Sequence, residues 1–181
     1  MKYLYSILLV VITTVGISAQ TSPSNETHIK NFGKVDERLY RGSQPSKKDY
    51  ADLKKLGIDT VIDLEDKPTD YEQKSVEALG MHYINIPVKD KTAPSPEMIH
   101  TFLNAVNASS TGKFFVHCAG GRHRTGDMVA VYRVEEYGWD FDKIYQEMKN
   151  YDFYTSFGHE SQKQFVVDYI NQVKAQKAVG G

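Results

Sequence analysis

Val116-His117-Cys118-Ala119-Gly120-Gly121-Arg122-His123-Arg124-Thr125-Gly126 is the stretch that decides the fold. The apolar run Lys113-Phe114-Phe115-Val116 ahead of it has buried-strand character, and Asp127-Met128-Val129-Ala130-Val131-Tyr132-Arg133-Val134 behind it reads as a buried helix. The order strand, glycine-bearing loop, helix start predicts an anion cradle. Amide N–H groups of a tight loop converge on one point, and the helix N-terminus adds the positive end of its dipole.

A cysteine turns that cradle toward chemistry. A free thiol has a pKa of about 8.5, which helix N-termini or neighbouring cations bring to roughly 3.5–7.5. Cys118 has the loop amides, the dipole and Arg124 to favour its thiolate. The planar fork of Arg124 matches two oxygens of a phosphoryl group, which a lysine cannot do. Gly120 and Gly121 are expected to turn the backbone through positive φ and bring it close to the ligand. Thr125 is placed to hydrogen-bond the sulfur when it departs as thiolate.

His-Cys-x-x-Gly-x-x-Arg-Thr-Gly resembles the signature of the cysteine-dependent protein tyrosine and dual-specificity phosphatases. Gly121-Arg122-His123-Arg124-Thr125-Gly126 is most similar to their atypical dual-specificity branch of plants, fungi and bacteria. Tyr40-Arg41-Gly42-Ser43-Gln44-Pro45 is also similar to the stretch that opens the domain in that branch. A bare Cys-x5-Arg is common by chance; the flanking strand and helix make this match specific. The resemblance implies that Cys118 is the nucleophile and passes through a cysteinyl-phosphate, with Thr125 easing the departure of sulfur. It implies phosphate binding by Ala119, Gly120, Gly121, Arg122, His123 and Arg124, and a loop-fixing hydrogen bond from His117. It also implies an aspartate acid on a mobile loop upstream, and Asp90 matches by placement, 28 residues before the cysteine. No Trp-Pro-Asp sharpens that match, and Asp66 is the runner-up. Asp127 is read as capping the helix that follows the cradle. His159 or Gln162 is offered by the resemblance for placing the hydrolytic water, but no local motif supports either, and neither is taken as a site residue.

The substrate is read as a phosphoprotein, phosphotyrosine or aryl phosphate. The alternative is an inositol polyphosphate, attracted by the cationic character that Arg122 and His123 add to the loop; against it, Arg122 can instead pair with a neighbouring carboxylate. A sulfurtransferase and a non-catalytic phosphate-binding module rank lower: the first lacks the Arg-Thr-Gly ending, and the second generally loses the cysteine or the arginine. No cofactor or metal is expected.

Outward from the cradle, strands and helices alternate. Arg38–Pro45 is a strand ending in a turn, where Arg41 either faces the anion or anchors the turn through carbonyls or carboxylates. Ser46 is read as capping a helix, with Asp49 in the capping-box position and Gly57 as its stop. Strands are expected at 58–64 and 81–88, with a helix at 71–79 between them, and Ser95-Pro96 opens a helix reaching Ala108. Helices follow at 140–150 and about 159–177. The aromatic residues Tyr151, Phe153, Tyr154 and Phe157 are read as core before substrate groove. The fold class is α/β: one domain, a mostly parallel central sheet flanked by helices, with the anion loop between strand and helix. Ligands in such sheets sit outside the carboxyl ends of the strands, which gathers the Cys118, Asp66 and Asp90 loops on one edge.

The N-terminus reads separately. Lys2, the apolar run Leu4–Ile17 and Ser18-Ala19 are expected to form a signal peptide over 1–19, too short for a comfortable span. Residues 20–31 are expected to be a flexible lead-in, and 32–177 the phosphatase domain. Export to a secreted or periplasmic location follows as an expectation, as does a monomer without stable membrane association once the leader is removed. The formal net charge of −1 carries no basic excess for nucleic acid. Cys118 is the single cysteine in 181 residues, which fits a reactive thiol better than a disulfide framework.

Overall fold

β5 (Phe114–Cys118) runs through the middle of the sheet and explains why its sequence is apolar on both faces. The computed structural model describes residues 27–108 and 112–179. The sheet order is β1 (Gly33–Lys34), β2 (Leu39–Ser43), β5, β3 (Thr60–Glu65), β4 (His82–Val88). Among the described residues only the β1–β2 pair is antiparallel; β5 lies parallel between β2 and β3. Ser43 aligns with Cys118, and Gly42 and Asp63 flank His117, so the carboxyl ends of β2, β3 and β5 meet around the sulfur.

Side chains of β5 alternate between two cores, as strand geometry demands. Phe114 and Val116 pack with Leu39, Ile62, Ile86, Phe102 and Met128, beneath α3 (Pro96–Asn107) and α4 (His123–Tyr137). Phe115 packs on the other face with Tyr40, Tyr50, Leu53, Val61 and Val76, under α1 (Asp49–Lys55) and α2 (Glu72–Ala78). A third core joins α4 to α5 (Phe141–Asn150) and α6 (Glu160–Val179) through Ala130, Ile144, Met148, Val166 and Ile170. Because α4 is sandwiched between the sheet and this helix pair, every residue from His123 to Val134 is buried. Each fully buried aliphatic or aromatic side chain contributes about 1.5–3 kcal/mol, so Met128, Val129 and Val131 anchor the helix that starts at the cradle.

Local signals place most boundaries. Ser95 accepts from the Met98 N–H, with Pro96 in the first turn, and Asp140 accepts from the Lys143 N–H. At α1 the capping box is half made. Asp49 Oδ2 accepts from the Ser46 N–H, but the Ser46 hydroxyl caps nothing, and the helix begins at Asp49.

The expectation of a flexible lead-in is corrected at its end. Ile29 is buried in the core against Tyr40 and Phe115, and Ser43 N–H donates to the Lys30 carbonyl at 2.8 Å. Asn31 reaches across to the Gly120 carbonyl at 2.9 Å. The ordered fold therefore begins before Phe32: an apolar side chain within a polar stretch finds a site on the sheet. The leader expected over 1–19 lies outside the described residues.

Candidate active site

β5 delivers Cys118 to the sheet edge, and the loop returns into α4 five residues later, so the sulfur sits against the helix N-terminus. Gly121 makes that return possible. Its φ is +66°, and a Cβ there would sit 2.5 Å from the Gly42 carbonyl carbon. Gly120, expected to share that conformation, does not: Gly121 alone takes the left-handed turn.

Burial opposes ionisation of Cys118, but other influences pull its pKa below the ordinary thiol value. These are hydrogen bonds from the Thr125 hydroxyl and N–H, the Arg124 charge and the Gly121 N–H. The Thr125 side chain is fully buried beside the sulfur.

Arg124 is fixed rather than swinging. Its Nη1 lies 3.2 Å from the Val88 carbonyl, 3.5 Å from that of Leu64 and 3.3 Å from Asp66 Oδ1. The carboxyl ends of β3 and β4 therefore aim the guanidinium. Asp66, the runner-up acid, is corrected to a partner of this arginine; it does not line the cavity that holds the sulfur.

That cavity has a volume of about 300 Å³ and is lined by Asp90, Lys91, Cys118, Ala119, Gly120, Arg122, His123, Arg124, Tyr154, Phe157 and His159. Asp90 is exposed at its rim, on the loop after β4. A larger hollow of about 730 Å³ shares Ala119, Gly120 and Arg122 with it but does not reach the sulfur.

Beneath the loop, His117 Nε2 meets Glu72 Oε1 at 2.8 Å, with both side chains buried. Burial opposes its charge, yet the hydrogen bond and charge of Glu72, then Asp63, lift the His117 pKa above the usual imidazole value. The loop-fixing role expected of His117 thus has an acid on α2 as its partner. Arg41 is resolved as an anchor. It is fully buried, donates from Nη2 to the Gly121 carbonyl at 2.7 Å and stacks over Tyr151 at 3.9 Å. Burial brings its pKa down to about 10, still far above neutrality.

Two loop residues expected to bring positive charge bring less. Arg122 Nη2 pairs with Asp152 Oδ2 at 3.7 Å, in the open. His123 donates from Nε2 to the Tyr154 carbonyl at 3.0 Å and stacks on His159 with centroids 3.6 Å apart. Burial, with His159 beside it, lowers the His123 pKa to about 4, so the ring is a neutral wall at physiological pH.

Asp127 is corrected as well. It lies inside α4, fully buried, and accepts from Gln162 Nε2 at 2.9 Å instead of capping the helix. Gln162 Oε1 in turn meets His159 Nδ1 at 2.7 Å. Burial, reinforced by the neighbouring Cys118, raises the Asp127 pKa well above 3.8, against the pull of Gln162. A carboxyl whose folded pKa is raised loses stability as pH climbs from its unfolded pKa to its folded one. Asp127→Asn keeps the acceptor for Gln162 and removes that loss. Its melting temperature is expected to exceed wild type at neutral pH by about 2–4 °C or more, and to converge with it near pH 4. Thermal melts across pH check this; a variant less stable than wild type at pH 7 contradicts the raised pKa of this buried acid.

The aromatic run divides. Phe153 is core and Tyr151 lies under Arg41, while Tyr154 and Phe157 line the cavity. Sequence reasoning missed Glu72, Asn31 and the Gln162–Asp127 pair. Asp127 alone left a signal, a lone acid opening an apolar helix. Among the described residues, Asp63, Glu65 and His117 bring three potential metal donors within 4.8 Å of one another. His117 already turns its Nε2 to Glu72 at 2.8 Å.

Residues 14–168 match the family described as "DSP-PTPase phosphatase fused to NAD+ Kinase". A probable tyrosine-protein phosphatase of Dictyostelium discoideum, DG1060, is 29% identical over 67% of this chain and 75% of its own length. The dual specificity protein phosphatase TpbA of Pseudomonas aeruginosa is 24% identical over 68% of this chain; the match spans only 55% of TpbA. The TpbA crystal structure in complex with pTyr superposes with a TM-score of 0.60 at 23% identity, covering 77% of this chain and 82% of that one. The core catalytic domain of the PP-IP phosphatase SIW14 from S. cerevisiae, in complex with citrate, gives 0.64 at 20% identity over 83% and 94%. At those identities the two structures speak to the fold.

Proposed function

As a member of the DSP-PTPase phosphatase family, the chain is a phosphatase of the tyrosine and dual-specificity class, and we propose that Cys118 and Arg124 carry its reaction. The observation that carries this reading is a thiol held below its ordinary pKa on the wall of a cavity that Asp90 rims. In the first step the Cys118 thiolate attacks phosphorus as the P–O bond to the leaving group breaks. Arg124 and the loop N–H groups hold the equatorial oxygens. Asp90 gives its proton to the leaving oxygen. In the second step water attacks phosphorus, its proton passes to the ionised Asp90, and the P–S bond breaks to return the thiolate, steadied by Thr125.

Removing Asp90 tests the acid. Asp90→Ala is expected to slow turnover of poor leaving groups by roughly 10²–10⁴-fold, and of p-nitrophenyl phosphate far less. Steady-state rates on both substrates check this; equal rates for variant and wild type on both overturn the assignment.

Aryl phosphates and phosphotyrosine rank first as substrates. His123 is neutral, Arg122 is paired with Asp152, and Tyr154 and Phe157 border the cavity. The relative TpbA, crystallised with pTyr, supports the same choice. Inositol polyphosphates are the second reading, favoured by Lys91 and Arg122 on the cavity wall and by the name of SIW14. Turnover of a phosphotyrosine peptide and of phytate, side by side with EDTA present, separates them. The peptide is expected to be the better substrate, and a higher kcat/KM for phytate reverses the order. The leader reading adds the proposal that the enzyme works in a secreted or periplasmic location.

A further inference from the structure

We propose that Phe157, supported by Tyr154, is the specificity residue that selects an aromatic leaving group at this site. This deepens the aryl-phosphate reading and rests on it. Phe157 is 82% exposed and has a φ of +60°, a conformation uncommon for bulky side chains. An exposed phenyl ring forfeits its own burial, and a left-handed backbone adds strain; such strain persists where the surroundings impose it, often at ligand sites. Both costs fall on one residue, and that residue borders the cavity of the reactive sulfur.

The surroundings impose it in an identifiable way. Tyr154 is tied down through its carbonyl, which accepts from His123 Nε2 at 3.0 Å, and its ring stands edge-on to His123 and His159. On the far side, the Ser161 hydroxyl donates to the Lys91 carbonyl at 3.1 Å, which joins the start of α6 to the loop carrying Asp90. Gly158 follows at φ +90°, a backbone conformation that side chains rarely adopt. The segment is therefore pinned at both ends while the Phe157 ring contacts Tyr154 at 6.2 Å and 89°, with its remaining surface open.

A flat apolar group leaving the phosphoryl site toward the mouth meets this ring beside the acid that protonates its oxygen. Aromatic pairs favour edge-to-face or offset contact, which the open Phe157 offers and a polyol does not reward. Phe157 thus discriminates by the ring attached to the ester oxygen, whereas Cys118 and Arg124 act on the phosphoryl group common to every monoester and Asp90 responds to the basicity of the leaving oxygen.

The test compares Phe157→Ala and Phe157→Asn with wild type on phenyl phosphate, benzyl phosphate and β-glycerophosphate. Asparagine tolerates the left-handed backbone, so it removes the ring while keeping the turn. Both variants are expected to lose about three- to tenfold in kcat/KM on the two aromatic esters, chiefly through KM, and under twofold on β-glycerophosphate. Phe157→Tyr is expected to retain the aromatic preference. Parallel losses on all three esters, or no loss on any, overturn the inference. Failure of the underlying aryl-phosphate reading looks different: wild type itself would turn over phytate with a higher kcat/KM than a phosphotyrosine peptide, whatever the residue at 157.

Discussion

Cys118→Ser is expected to lower turnover of a phosphotyrosine peptide by on the order of 10⁴-fold or more while leaving phosphate-ester binding intact. The substitution changes one atom, so Gly121, the loop N–H groups and Arg124 keep their places. What changes is ionisation. Thr125, Arg124 and the Gly121 N–H lower the Cys118 pKa from an ordinary thiol value. The same groups cannot bring a hydroxyl, whose pKa lies far higher, into the physiological range. Without an anionic nucleophile no cysteinyl-phosphate forms. Binding is expected to hold or tighten, because the variant no longer sets a thiolate against a dianionic ester. Steady-state kinetics and calorimetric titration of the variant with a phosphotyrosine peptide check the two halves. Turnover at the wild-type rate overturns the nucleophile assignment.

Arg124→Lys is the second large effect. The guanidinium is held by Nη1 to the carbonyls of Leu64 and Val88 and to Asp66, at 3.2–3.5 Å. Those acceptors fix the plane of the fork, so its orientation is settled before substrate arrives. A lysine has a single ammonium. Held by the strand carbonyls it cannot also bridge two phosphoryl oxygens, and released from them it loses its aim. The expected loss in kcat is roughly 10²–10³-fold, the size seen when one preorganised donor to a developing charge is removed. The Cys118 thiol is expected to keep a depressed pKa, since a cation remains nearby and Thr125 is unchanged. Rates and a thiol titration of the same variant check this. A kcat within a few-fold of wild type removes the bidentate role from the account.

The cradle was legible because its determinants are contiguous. Phe114–Val116, Gly121 and the Arg124-Thr125 ending each act within a dozen residues, and the sheet topology follows from the strand–helix alternation around them. What escaped depends on neighbours supplied by distant elements. His123 reads as a cation in sequence, but Tyr154 and His159, more than 30 residues on, enclose it and neutralise it. Asp66 and Asp90 sit on equivalent loops, and only the course of the Arg124 side chain gives one to the arginine and the other to the cavity rim. Ile29 lies in a polar stretch, and its burial depends on the surface that Tyr40 and Phe115 make together. Asp127 reads as a cap by position, while the partner that determines its state, Gln162, comes from the last helix.

The central claim is that this fold holds one sulfur ionised inside a phosphate-shaped cradle. Since Cys118 is the only cysteine, the pH dependence of inactivation by iodoacetate reports on it alone. A midpoint below the ordinary thiol value of about 8.5 is expected, with protection by inorganic phosphate. A midpoint at or above that value, with no protection by phosphate, would contradict it.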